Sequence, residues 1–173
     1  MTRRFSALLL FVSLNTYAHT FEVSALSDVL SLGNHHTQSR PHQYEVQAAW
    51  HLPKDWHHEL ISEFQVSALA SWGRLDFYKD GSRYISLGAA ASYPITSQWE
   101  TELGFKIGWL DDPVSPGFDL GGHYQMFSHL AFRYRWNDHW ATALKYNHIS
   151  NGNLDTPNPG LDMMLLEIGY SFK

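Results

Sequence analysis

The chain has 173 residues, with 12 Lys and Arg against 17 Asp and Glu, 11 His, no Cys, a formal net charge of −5 and 15% aromatic residues. This length predicts one domain, and the apolar and aromatic content excludes a disordered chain. The acidic balance without a Lys/Arg-rich block excludes nucleic-acid binding, which rests on clustered cations, and the lack of Cys excludes disulfide scaffolds, thiol catalysis and Cys-ligated zinc.

Residues 1–18 open with Arg3 and Arg4, continue as an apolar stretch from Phe5 to Leu14 and end in Thr16-Tyr17-Ala18, the three-part pattern of a secretory signal peptide cleaved after Ala18. The stretch is far shorter than the ~20 residues of a spanning helix, and no later segment supplies such a run. Residues 19–173 are therefore expected to form a single exported domain.

From there the chain alternates with period two in segments of about ten residues, the signature of strands. A first strand is predicted over 21–32. In the next, 42–52, Tyr44, Val46, Ala48 and Trp50 oppose Glu45, Gln47, Ala49 and His51. Strands over 60–74 and 83–95 follow, the latter with Ile85, Leu87, Ala89, Ala91 and Tyr93 against Tyr84, Ser86, Gly88, Ala90 and Ser92. The clearest case is 99–110, where Trp99, Thr101, Leu103, Phe105, Ile107 and Trp109 share one face and Glu100, Glu102, Gly104, Lys106 and Gly108 the other. Over 122–136, Tyr124, Met126, Ser128, Leu130, Phe132, Tyr134 and Trp136 oppose Gln125, Phe127, His129, Arg133 and Arg135. The last two strands are predicted at 139–150 and 161–172.

A Trp at each end of a ten-residue run, at ~3.3 Å per residue and a tilt of ~40°, brackets about 25 Å, the height of an outer-membrane barrel's apolar band. Short connections at 53–55, 96–98 and 137–138 alternate with long ones at 33–41, 75–82, 111–121 and 151–160, as periplasmic turns alternate with outer loops. In lipid an open sheet leaves unpaired backbone groups, so the strands must close into an eight-stranded antiparallel transmembrane outer-membrane β-barrel. Glu45, Gln47, Glu102, Lys106, Gln125, Arg133 and Lys145 then fill the interior as a polar core without a through-channel. A soluble sandwich or lipocalin-like barrel, with its apolar face turned inward, is the alternative.

Alternation carries His148 and Ser150 onto the lipid-facing side of the seventh strand with Trp140, Leu144 and Tyr146, and the outward register of the eighth reaches back to Asp162. Polar groups on a lipid face are costly, so their convergence at one height asks for a functional reason. A serine hydroxyl becomes a nucleophile when an imidazole takes its proton, and a carboxylate on the other ring nitrogen orients that imidazole. The loop 151–160 supplies amide donors for an oxyanion, with Asn158 the leading candidate.

The stretch His148-Ile149-Ser150-Asn151, with Leu154, Pro157-Asn158 and Gly160-Leu161-Asp162, resembles the signature of PagL-type lipid A 3-O-deacylases, outer-membrane eight-stranded barrels that hydrolyse an ester of lipopolysaccharide. The resemblance implies His148 as the histidine, Ser150 as the nucleophile, Asn151 as the asparagine after the serine and Asn158 as the loop asparagine. The family's acid is commonly glutamate, and Asp162, one methylene shorter, stands at that position, with Asp155 as the fallback.

The resemblance further implies lipid A as substrate, an outer-membrane location and surrounding lipid as environment, with no cofactor; a homodimer stays open. A non-enzymatic structural or adhesive barrel and a lipid acyltransferase are the alternatives. The pairs His35-His36 and His57-His58 point to opposite faces of a strand and predict no metal site. Asp111, Asp112 and Asp119 gather in one outer loop, where they could hold cations that bridge lipopolysaccharide phosphates.

Overall fold

The computed structural model describes residues 20–33, 41–56, 62–77, 80–115 and 118–172. The expected signal peptide and both histidine pairs lie outside the described residues. The chain forms β1 (Phe21–Gly33), β2 (His42–His51), β3 (Gln65–Phe77), β4 (Asp80–Pro94), β5 (Trp99–Leu110), the short β6 (Val114–Ser115) and β7 (Phe118–Asp119), then β8 (Tyr124–Arg135), β9 (Trp140–Ser150) and β10 (Leu161–Phe172). Eight of them close into a barrel in the order β1-β10-β9-β8-β5-β4-β3-β2, every neighbour antiparallel. The β6–β7 hairpin stands apart in the connection between β5 and β8.

Two expected boundaries move. The third strand begins at Gln65 rather than at 60, after a 3-10 turn over Lys54–Trp56. The connection expected over 75–82 is largely strand, because β3 runs on to Phe77, opposite Asp80 of β4. Arg74-Leu75-Asp76-Phe77 continues the alternation, and Leu75 and Phe77 are buried inside the barrel.

The outward face is apolar along its middle, through Val46, Ile85, Leu87, Leu103, Ile107, Leu130, Leu144 and Ile168, all exposed. At the short-turn end it is ringed by Trp99, Phe132, Tyr134, Trp136, Trp140, Tyr170 and Phe172, packed edge or face on one another. Tyr and Trp belong at a membrane interface because they pair an apolar body with a polar tip. Apolar groups outside and charges inside reverse the plan of a soluble barrel, and the wall is built to stand in lipid.

The interior has two tiers. Toward the short turns it is ionic: Lys106 pairs with Glu45 and bonds Gln47 at 3.2 Å and Ser71 at 2.9 Å. Lys145 pairs with Glu167 at 2.7 Å, Arg133 with Glu22 and with Glu167 at 3.2 Å, and His129 meets Glu102 at 2.9 Å. Toward the long connections the expected polar filling gives way to an apolar cluster that includes Leu75, Phe77, Tyr84, Leu110, Phe127, Ile149, Leu161, Met163 and Leu165, joined by Phe118 and Leu120 from the loop. Each large apolar side chain so buried contributes roughly 1.5–3 kcal/mol. The cluster makes a rigid floor beneath the loops at that end, where β9 and β10 carry their polar groups.

Candidate active site

On β9 the residues alternate without interruption: Ala143, Lys145, Asn147 and Ile149 are buried in the interior while Leu144, Tyr146, His148 and Ser150 face outward. The register of β9 with β10 sets His148 directly opposite Asp162. His148 Nδ1 lies 2.7 Å from Asp162 Oδ1, with both side chains a little over one third exposed. This contact occupies one ring nitrogen and leaves Nε2 for a partner on the same face. Ser150, two residues on, is that neighbour, at a Cα separation of ~6.6 Å expected from strand rise. Among the described residues no hydrogen bond joins its hydroxyl to His148 Nε2, so the structure places the two on one face without the Nε2–Oγ contact; such contacts often tighten only when substrate is bound.

Asp162 accepts a second donor that the sequence pattern did not single out. Tyr146 donates its phenol to the same Oδ1 at 2.7 Å. Alternation had put Tyr146 on the correct face, but as a lipid-facing aromatic; only the pairing of β9 with β10 brings its hydroxyl to the carboxylate.

The loop over 151–160 is built on Asn151, which is buried at 1% exposure. Its Nδ2 faces the carbonyls of Gly121 at 2.6 Å, Pro157 at 2.9 Å, Asp155 at 3.0 Å and Leu120 at 3.2 Å, and its Oδ1 accepts Asn153 N–H at 2.9 Å. The side chain thus acts as a support that ties this loop to the connection before β8, and its donors are consumed. That tie is close: at Gly121, φ +68°, a Cβ would fall 1.6 Å from the Pro157 carbonyl oxygen. Asn158 accepts the Asn151 backbone N–H at 3.1 Å and donates one Nδ2 hydrogen to Asn153 Oδ1 at 3.0 Å. Its second Nδ2 hydrogen is then available next to the residue that follows Ser150. Gly160, at φ +67°, brings the chain back over the imidazole, where a Cβ would lie 3.3 Å from His148 Cε1.

Asp155 is not beside the histidine: its Oδ1 accepts the Thr156 N–H at 2.7 Å and its Oδ2 lies against Gly122. Among the described residues no group of three or more His, Cys, Asp or Glu is arranged to hold a metal. Each aspartate of the acidic outer loop is engaged locally, Asp111 by Arg83 at 2.8 Å, Asp112 by Val114 N–H at 3.2 Å and Asp119 by Gly121 N–H at 2.8 Å.

Across β8, Ser128 stands opposite His148 and Met126 opposite Ser150. From Ser128 an apolar groove of about 430 Å³ opens in the outer wall, lined by Phe105, Leu103, Ala89, Ala91 and Val66. Small Ala side chains on β4 leave the space between the larger residues of β5. A serine hydroxyl, an imidazole–carboxylate pair, a loop amide and an apolar groove are thus arranged on one side of the barrel.

A family model described as lipid A 3-O-deacylase (PagL) matches residues 40–171 of the chain. The lipid A deacylase PagL of Bordetella bronchiseptica is 26% identical over 146 residues, covering 76% of this chain and 78% of that protein. Among solved structures, the crystal structure of the outer membrane enzyme PagL aligns with a TM-score of 0.69 at 15% identity over 86% of this chain and 97% of that one. The neisserial surface protein NspA aligns with a TM-score of 0.52 at 14% identity, over 89% of this chain and 96% of that one.

Proposed function

The chain belongs to the PagL family of lipid A 3-O-deacylases, and on that premise we propose that it is an outer-membrane serine esterase that removes the ester-linked 3-hydroxyacyl chain at position 3 of lipid A. Membership makes it a lipid A deacylase of the outer membrane. The position of the ester and the roles of individual residues are the further content of the proposal.

In this reading Ser150 Oγ attacks the ester carbonyl while His148 Nε2 takes its proton, and Asp162 holds the imidazole by Nδ1 and stabilises the imidazolium. The tetrahedral oxyanion is met by Asn158 Nδ2. Collapse breaks the bond to the sugar oxygen, which leaves with the proton from His148. Water, deprotonated in turn by His148, then releases the fatty acid from Ser150. The substrate's acyl chains already lie in the leaflet beside the wall, where the groove next to Ser128 offers one of them a lodging.

The observation that carries the reading is the 2.7 Å contact between His148 and Asp162 on the lipid-facing side, two residues from Ser150. A structural barrel gains nothing from three polar groups so placed. Mass spectrometry of lipid A from membranes with the wild-type protein and with Ser150→Ala at equal folded levels tests it. Loss of one hydroxyacyl mass with the wild type alone is expected. Unchanged lipid A with both, or equal loss with both, overturns it.

A further inference from the structure

We propose that Tyr146 is a positioning residue for the reaction, its hydroxyl holding the Asp162 carboxylate turned toward His148 on a wall surrounded by lipid. The proposal rests on the reading of Ser150, His148 and Asp162 as a triad.

Asp162 is a carboxylate on the lipid-facing side of β10, where water is scarce and an ionised group needs donors from the protein. His148 Nδ1 is one and the Tyr146 hydroxyl the other, both 2.7 Å from the same Oδ1. The register explains the reach. Tyr146 stands opposite Met164, and Asp162 lies two residues from Met164 on the same face, so the phenol crosses the diagonal between neighbouring strands, a span within range of an aromatic side chain. On its other flank, among the described residues, Asp162 stands opposite Gly33 of β1.

Among the described residues these two contacts are the hydrogen bonds that Asp162 receives from side chains. On β9 the groups sharing its face are Tyr146, His148 and Ser150; from β8 Ser128 and Met126 face them; from β1 come Gly33 and Leu30. The loop contributes Asp155, whose carboxylate is bonded to Thr156. A tyrosine at this depth ordinarily turns its hydroxyl toward water. Here the hydroxyl serves the acid instead.

Removing that hydroxyl takes away one of the two contacts that hold Oδ1, so the carboxylate is free to turn from His148 Nδ1. The lost orientation lowers kcat and leaves KM alone, because Tyr146 acts through Asp162.

The test uses the full-length barrel in detergent micelles with purified lipid A, following fatty-acid release, with folding checked by heat-modifiable gel mobility. Tyr146→Phe is expected to lower kcat about tenfold at constant KM. Replacement of Tyr146 by 3-fluorotyrosine, which keeps the shape and the donor, is expected to retain the parental kcat and guards against a folding defect in the phenylalanine variant. On the low residual rate of an Asp162→Asn background Tyr146→Phe is expected to cost nothing further. A parental kcat for Tyr146→Phe, or a loss that recurs in full in the Asp162→Asn background, overturns the proposal while Ser150→Ala and Asp162→Asn remain strongly impaired. Full activity in those two variants would instead remove the triad, and the proposal with it.

Discussion

Asn158 Oδ1 accepts the backbone N–H of Asn151 at 3.1 Å, and Asn151 is the residue immediately after Ser150. The bond occupies the Asn151 amide, and in the proposed reaction it leaves the Asn158 side chain as the oxyanion donor. Asn158→Ala is expected to lower kcat by about 10²–10³ with little change in KM. Asn158→Asp, which keeps the acceptor for Asn151 and loses the donor, is expected to be as poor. Steady-state kinetics on lipid A separates this from a loop defect, which the aspartate variant would rescue.

The polar groups of the site stand on a surface that lipid would prefer apolar. Asp162→Leu is therefore expected to abolish deacylation without loss of stability, since a carboxylate on the lipid face is replaced by a residue suited to it. Urea unfolding in vesicles, followed by Trp fluorescence, measures this; a marked drop in midpoint would assign Asp162 a structural role.

Asn151 engages four backbone carbonyls from two connections. Asn151→Leu leaves those carbonyls without a donor at a cost of about 1–3 kcal/mol. The barrel strands do not depend on it, so the expected result is an intact barrel whose loop over 151–160 is cut rapidly by protease and whose activity is lost.

The groove beside Ser128 depends on alanines. Ala89→Trp is expected to fill it, raising KM for lipid A while a short-chain ester is hydrolysed at the parental rate. Equal loss on both substrates would dissociate the groove from acyl-chain binding.

Lys106 is buried at 3% exposure against Glu45 and Gln47. Lys106→Met strands the Glu45 carboxylate inside the barrel and is expected to cost 3–5 kcal/mol, roughly what breaking a buried pair costs in general. The double substitution with Glu45→Leu is expected to recover most of it, as equilibrium unfolding would show.

Much of this architecture was legible in the sequence because a strand's period of two survives without knowledge of its neighbours. Ile149 inward and His148 outward follow from alternation alone, as does the grouping of Ser150 with Tyr146. What alternation cannot supply is register between strands, and register decides that Tyr146 meets Asp162 and that Ser128 stands opposite His148. Nor does it mark where a strand ends, hence the extension of β3 through Asp76 to Phe77. The apolar outer half of the interior was missed for another reason: inward positions were read as polar from Glu45, Lys106 and their kin, whereas Leu75, Leu110 and Met163 occupy the same face nearer the loops. The motif points to Asn151, but not to its burial or to the carbonyls of Leu120 and Gly121, which come from a connection thirty residues upstream in sequence.

In the proposed reaction the outward placement of His148, Ser150 and Asp162 also sets the dimensionality of the chemistry. A molecule that reaches them does so sideways, by diffusing within a sheet of lipid, so the concentration that governs the rate is a mole fraction in that sheet rather than an amount per volume of water. At constant total substrate, added inert lipid or detergent slows the reaction by dilution in two dimensions, and the liberated chain departs into the same leaflet from which it came.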